Sequence, residues 1–329
     1  MPLIQSITTA LREKISSFSS ADDFLLNNQA FSFEQKKFQP LVQPTPHSSI
    51  NPTIAFIDGG QAELLVAANF CVSFIRVAGL IMQGEKKIKQ RKQEFFLLTT
   101  AKSHKEEIWY ESKIFYEGQN LVKGKFSLLQ ESDLFVSSQD AYLKTGLERA
   151  PLVKVTSMAR RFAELALAAE IAPQADYILL DGTLEKTYPQ EEKFLQQLPK
   201  NTAALAKSSA LFTSAGNNPA VLLQKKSPSG CWSYALNNQT AFVKLHEKSK
   251  HIFRFEGASE ILPKLLCQCT DATFLGYPYG LILADQLARV SNEEKKSLQM
   301  RFLLDKENKE ILEYLSTGNA HDILDQRRF

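Results

Sequence analysis

The chain has 329 residues, 44% of them hydrophobic and 23% charged, which suits one large soluble domain or two modest ones. A net charge of +3 permits a polyanionic partner without requiring one. Cys71, Cys231, Cys267 and Cys269 lack zinc-ligand spacing, and no uncharged run is long enough to span a bilayer, so a structural zinc site and a membrane span are excluded; reduced thiols in a cytoplasmic protein are expected.

At the N-terminus, Leu3, Ile4, Ile7, Leu11, Ile15 and Phe18 recur at helical spacing, which predicts an amphipathic helix. Arg12, Glu13 and Lys14 interrupt the apolar run, so it does not read as a signal peptide. The helix either packs on its own domain or docks a partner chain. The proline-rich "PLVQPTPHSSINP" at 40–52 predicts a connection. Residues 1–45 are therefore taken as helix plus linker and 46–329 as a single mixed α/β domain.

Strands are predicted in "TIAFID", "AELLVAANFCVSFIRVAGL", "EFFLLTTA" and "IWYESKIFY", which are dense in β-branched and aromatic residues. Phe70, Val72 and Phe74 alternate with Cys71, Ser73 and Ile75, so both faces are expected to be covered. "EKKIKQRKQE" reads as a basic hairpin tip that is solvated or touches phosphates. "VTSMARRFAELALAAEIA" predicts a helix with Thr156 or Ser157 as N-cap. The strand "DYILLDG" follows, then a polar, mobile-looking stretch, "TLEKTYPQEEKFLQQLPKN". After "AALAKSSALF" come candidate strands "GCWSYAL", "TAFVKLH" and "HIFRFEG". From Gly276 onward the pattern is mainly helical.

Two strands, "TIAFIDGGQ" and "DYILLDGTL", end in Asp-Gly, and this sets Asp58 and Asp181 at strand tips, where side chains escape the packed layers. An isolated Asp-Gly is a common turn pair, but two after apolar strands suggest a shared site. Glu164, 17 residues before Asp181 on the predicted helix, makes a third carboxylate, with Arg160 and Arg161 offering an ion pair as the alternative. Clustered acids repel and hold protons unless cations bind among them. An all-oxygen set suits Mg²⁺ or Mn²⁺, and two such ions about 4 Å apart hydrolyse phosphodiesters.

An Asp on the first strand, antiparallel strands, a helix bearing Glu and a strand ending in "DG" together resemble the NurA nucleases. "AALAKSSALF" at 203–212, "FVKLHEKSKHIFRFE" at 242–256 and "GYPYGLILADQLARV" at 276–290 follow in that family's order. The resemblance implies an RNase H-like mixed sheet flanked by helices. It also implies a metal-dependent DNA nuclease, cutting single strands and DNA ends from the 5′ side in double-strand-break repair. A homodimer working with a HerA-type hexameric ATPase is implied as well. Asp58, Glu164 and Asp181 become metal ligands for two ions, Mn²⁺ or Mg²⁺, with Asp285 as the fourth where the family tends to carry His. Asp285 has Arg289 at i+4 as its alternative partner. Lys207 and Ser208 are candidate phosphate contacts, and Tyr277 is a candidate base-stacking platform or a core residue. Two rivals stand beside this: a non-catalytic scaffold of the same fold, and an actin-like or sugar-kinase-like ATPase whose phosphate loops "DGG" and "DGT" would imitate.

Overall fold

The computed structural model describes residues 2–16, 23–26, 29–43, 51–116, 129–207, 211–304 and 308–318. The N-terminal helix forms as α1 (Pro2–Ser16). Short strands β1 (Phe24–Leu26), β2 (Gln29–Phe31) and β3 (Phe38–Pro40) precede three long ones, β4 (Thr53–Val66), β5 (Phe70–Gln83) and β6 (Lys86–His104). Strands β7 (Glu107–Tyr116) and β8 (Val136–Ser137) lead to α2 (Val153–Ile171), β9 (Tyr177–Asp181) and α3 (Glu192–Leu195). Next come β10 (Thr202–Ala206), β11 (Phe212–Thr213), α4 (Pro219–Lys226), β12 (Trp232–Ala235), β13 (Thr240–Lys244) and β14 (Phe253–Gly257). The chain closes with α5 (Leu262–Leu265), α6 (Tyr279–Ala288), α7 (Asn292–Leu303) and α8 (Lys309–Gly318).

The chain divides into two compact units, residues 1–50 with 203–279 and residues 51–202 with 280–329. In the first, strands β3-β12-β13-β14-β10 pair in that order, every neighbour antiparallel. Its core gathers Phe24, Trp232, Tyr234 and Phe242, with Phe33 stacked on Tyr234 at 5.7 Å. The Tyr234 hydroxyl is not left orphaned there, because the Glu34 amide donates to it at 2.9 Å.

The second unit holds a large mixed sheet in the order β9-β4-β5-β6-β7-β8, flanked by helices, as the resemblance implied. Strand β9 runs parallel to β4, whereas the remaining neighbours are antiparallel. Helix α2 is rich in Ala, Leu, Met, Arg and Glu, all strong helix formers. It buries Val155, Met158, Phe162, Leu165 and Ile171, each large side chain contributing about 2 kcal/mol. Both faces of β5 are covered, as the alternation predicted. Ser73 meets Thr156 of α2 at 2.7 Å, while Phe74 on the other side packs with Phe96 and Phe302.

Three local expectations need correcting. Helix α2 begins at Val153, so Thr156 and Ser157 lie inside it, and their hydroxyls bond sideways to Ser73 and Gln61 in place of capping. The basic run 86–92 is strand, and the turn is Gly84–Glu85, where Gly84 supplies φ +59°. The polar stretch after β9 is pinned by Glu191, which is fully buried. It accepts from the Thr187 and Tyr188 amides, the Thr187 hydroxyl and Arg161. Among the described residues no helix is long and apolar enough to cross a membrane.

Candidate functional site

The two aspartates are brought together by strand register. Strand β4 pairs in parallel with β9 as Ile54↔Tyr177 through Ile57↔Leu180. The next step along the same register sets Asp58 beside Asp181, one strand spacing of about 4.8 Å away. Asp181 ends its strand as expected, and Gly182 turns the chain away with φ +118°. Asp58 does not end β4. That strand continues through Gly59 and Gly60, paired with Val77 and Arg76 of β5, out to Val66. Ladder pairing with β5 thus overrides the turn preference of Asp-Gly-Gly, and "DGG" is no phosphate loop. The result is a notch: β9 stops while β4 runs on.

Glu164 approaches β4 from α2 over the face that Gly59 and Gln61 present, the face opposite the one that carries Asp58 and Gly60. It is 3% exposed, and a Cβ placed on Gly59 would lie 2.5 Å from its Oε1, so the missing side chain is what admits the carboxylate. Burial pushes the Glu164 carboxyl up, and the charge of Asp181 pushes it the same way, against Arg160 and Arg161. Arg160 is the cation already among these acids. Its guanidinium donates to Glu164, to the Gly59 carbonyl at 3.2 Å and to Gln61 Oε1 at 3.2 Å. The carboxylates of Glu164 and then Asp58 hold Arg160 more firmly charged. Burial raises the Tyr188 hydroxyl, which bonds to Ser157 and feels both Arg160 and Glu164. Tyr188 and Gln61 were missed by sequence reasoning. Gln61 sits three residues beyond Asp58 on the same strand, the one signal that was available.

Helix α6 passes close to β4. A Cβ on Gly280 would meet the Phe56 ring at 2.3 Å, and one on Gly60 would meet the Ala288 carbonyl at 2.1 Å. Eight helical residues span about 12 Å and four strand residues about 14 Å, so α6 tracks β4 in the same direction. Interpolation sets Asp285 level with Asp58. Its carboxylate accepts from Arg289, the alternative that the spacing offered.

The remaining candidates belong to the first unit. Tyr277 is fully buried, its ring 5.3 Å from Phe253 and 5.0 Å from Phe274, so it is a core residue and not a stacking platform. Lys207 is exposed, with Nζ over that ring at 5.2 Å. Ser208 lies outside the described residues. None of the four cysteines forms a disulfide.

The donors are of the type a hard divalent cation takes, carboxylates on two adjacent strands and one helix, with Arg160 feeling the charge of both Glu164 and Asp58 and Glu164 feeling that of Asp181. Among the described residues no three His, Cys, Asp or Glu side chains are close enough to hold one ion as they stand. Ligation by Glu164 therefore requires its carboxylate to part from Arg160.

A mixed sheet, a helix carrying Glu onto it and two register-matched aspartates define the class, an α/β fold with an acidic notch at a strand end. Residues 239–290 match the family described as NurA, NurA domain, in agreement with the resemblance seen in the sequence and in support of a nuclease. No curated protein sequence matches the chain. Among solved structures, Endonuclease V of Ciona intestinalis in complex with DNA aligns with TM-score 0.40 and 11% identity, over 80% of this chain and 94% of that one. Human Endonuclease V aligns with TM-score 0.39 and 11% identity, over 80% and 94%. Aquifex aeolicus Argonaute aligns with TM-score 0.29 and 8% identity, over 73% and 28%.

Proposed function

We propose that this chain is a divalent-metal-dependent deoxyribonuclease that cuts single strands and resects DNA ends from the 5′ side. The observation that supports the reading is the parallel register of β4 and β9, paired as far as Ile57↔Leu180 with Asp58 and Asp181 the next residue on each strand, and Glu164 buried over Gly59. In this reading Asp58, Asp181 and Glu164 would hold Mn²⁺ or Mg²⁺, and Asp285 on α6, which pairs with Arg289, would be the fourth ligand. Two bound cations would supply an activated water and charge to stabilise the leaving oxygen of the phosphodiester. The residues of the chain do the rest. Arg160 orients Glu164 and balances its charge, and a guanidinium at this position would also be a suitable partner for a substrate phosphate. The exposed ammonium of Lys207, steadied over the Tyr277 ring, contacts a substrate phosphate.

The wider reading rests on the family resemblance in the sequence: a homodimer that would work with a HerA-type hexameric ATPase in double-strand-break repair, with α1 as a candidate contact for either. Incubation of labelled single-stranded DNA with the protein in Mn²⁺ or Mg²⁺ tests the core reading. Wild type is expected to cleave, while Asp58→Ala and Asp181→Ala retain their circular dichroism and lose cleavage. Equal cleavage by variants and wild type overturns the metal-site assignment.

A further inference from the structure

Sheet register connects the carboxylate notch to the basic run on β6. Asp58 pairs with Ala78, and Ala78 pairs with Lys92, so the three form one row across β4, β5 and β6. Directly paired residues share a face, which sets Lys92 on the Asp58 face about 10 Å away. The neighbouring row, Gly60–Arg76–Glu94, has the same facing, since Arg76 donates to the Arg289 carbonyl at 2.8 Å and a Cβ on Gly60 would meet the Ala288 carbonyl at 2.1 Å. Further along β6 the same face carries Gln90, paired with Leu80, and Lys87, paired with Met82 beyond a bulge. Lys87 donates to the Gln90 side chain at 3.2 Å, which confirms the common side. The intervening residues point the other way: Lys89 reaches Gln174 at 2.5 Å, and Arg91 pairs with Glu170 of α2.

One face of β6 therefore presents an exposed row, Lys87, Gln90 and Lys92, aimed along the sheet at the Asp58 row. From Met82 to Ala78 is four residues, so the two ammonium groups are rooted about 14 Å apart. Lys92 shares Glu94 with Arg76, whereas Lys87 meets the neutral amide of Gln90. A row of cations and an amide, with the half-exposed Ile88 of the bulge beside it, offers donors to a phosphate backbone.

We propose that this face of β6 is a track that holds the phosphate backbone of a single DNA strand on its way to the carboxylate notch. The inference rests on the nuclease reading above, and its test separates the two. Binding of a labelled single-stranded oligodeoxynucleotide without divalent cations is followed by fluorescence anisotropy between about 50 and 200 mM salt. Each lost phosphate contact lowers the slope of log K against log salt by about 0.7, so the double variant Lys87→Gln, Lys92→Gln is expected to lose about 1.4. The double variant Lys89→Gln, Arg91→Gln removes the same charge from the opposite face of the same strand and is expected to keep the wild-type slope. An unchanged slope for the first pair, or equal losses for both pairs, overturns the track. If wild type cleaves and Asp58→Ala does not, such a result leaves the nuclease reading standing. If wild type neither binds nor cleaves, both fall. Tighter binding of the same sequence made as RNA overturns the assignment to DNA.

Discussion

Gly59 and Gly60 are adjacent, in one strand, and differ in what a methyl group would strike. At Gly60 the obstacle is the Ala288 carbonyl at 2.1 Å, which is backbone and cannot turn aside, so α6 must move. Gly60→Ala is expected to cost about 3 kcal/mol in denaturant unfolding. At Gly59 the obstacles are side-chain atoms of Glu164 and Arg160, which can rotate. Gly59→Ala is expected to change stability by less than about 1 kcal/mol, while Glu164 is turned away from β4 and cleavage falls at least tenfold. Comparable activity of the two variants at matched folded fractions would remove Glu164 from the proposed site. Asp58, Glu164 and Asp181 were legible in the sequence because an acid ending an apolar strand or entering a buried helix face is conspicuous. Arg160 was legible only as a bland i+4 pair, since its bond to the Gly59 carbonyl spans 101 residues. Tyr188 was hidden because its stretch looks polar, and what fixes it is a buried carboxylate, Glu191, satisfied by local amides.

Elements were legible wherever pattern and pairing agree. The apolar parts of β4, β5 and β9 and the whole of α2 were evident because burial demands their composition. The basic half of β6 was not, because a strand whose two faces are both polar has no alternation to read and is held as strand only by its partner β5. Arg76 ties these elements to α7. It bonds Glu94 on β6 at 2.5 Å, pairs with Glu294 on α7 and donates to the Arg289 carbonyl, with its own side chain 10% exposed. Removing it strands two acids, so Arg76→Ala is expected to cost about 3 kcal/mol. The pH dependence has a definite sign. Burial opposes the Glu94 charge, but the hydrogen bonds from Lys92 and Arg76 outweigh it and hold the carboxyl below its ordinary 4.5. A depressed folded value means that this contribution is complete above the unfolded value and is lost as pH falls through the depressed one. Wild type should therefore lose stability on acidification below about 4.5, and Glu94→Gln should flatten that part of the urea-midpoint profile. An unchanged acid limb would assign the acid sensitivity elsewhere.

At the scale of the whole molecule, the stretch 239–290 that matches the NurA domain contains Asp285 but none of Asp58, Glu164 and Asp181. The family and the acidic notch are thus independent supports, one carried by β13 to α6 and the other by β4, α2 and β9. The interleaving of two compact units was not legible, because it depends on which segments pair across the chain and not on any local pattern. The N-terminal helix was legible, and its surroundings sharpen what it is for. Leu3 and Ile4 on α1 are 73% and 70% exposed, and Ile7, Leu11 and Ile15 are each more than half exposed. A continuous apolar stripe left open on a helix costs solubility unless another surface covers it. Under the proposed dimeric arrangement that surface is a second copy or the ATPase. Deletion of residues 1–20 should then leave the circular dichroism and melting of the rest unchanged, because residues 3–15 of α1 are all exposed. The same deletion should lower the mass measured by light scattering from dimer toward monomer, or abolish co-elution with the ATPase. A truncated chain that assembles as well as the full one would mean that the stripe serves neither contact.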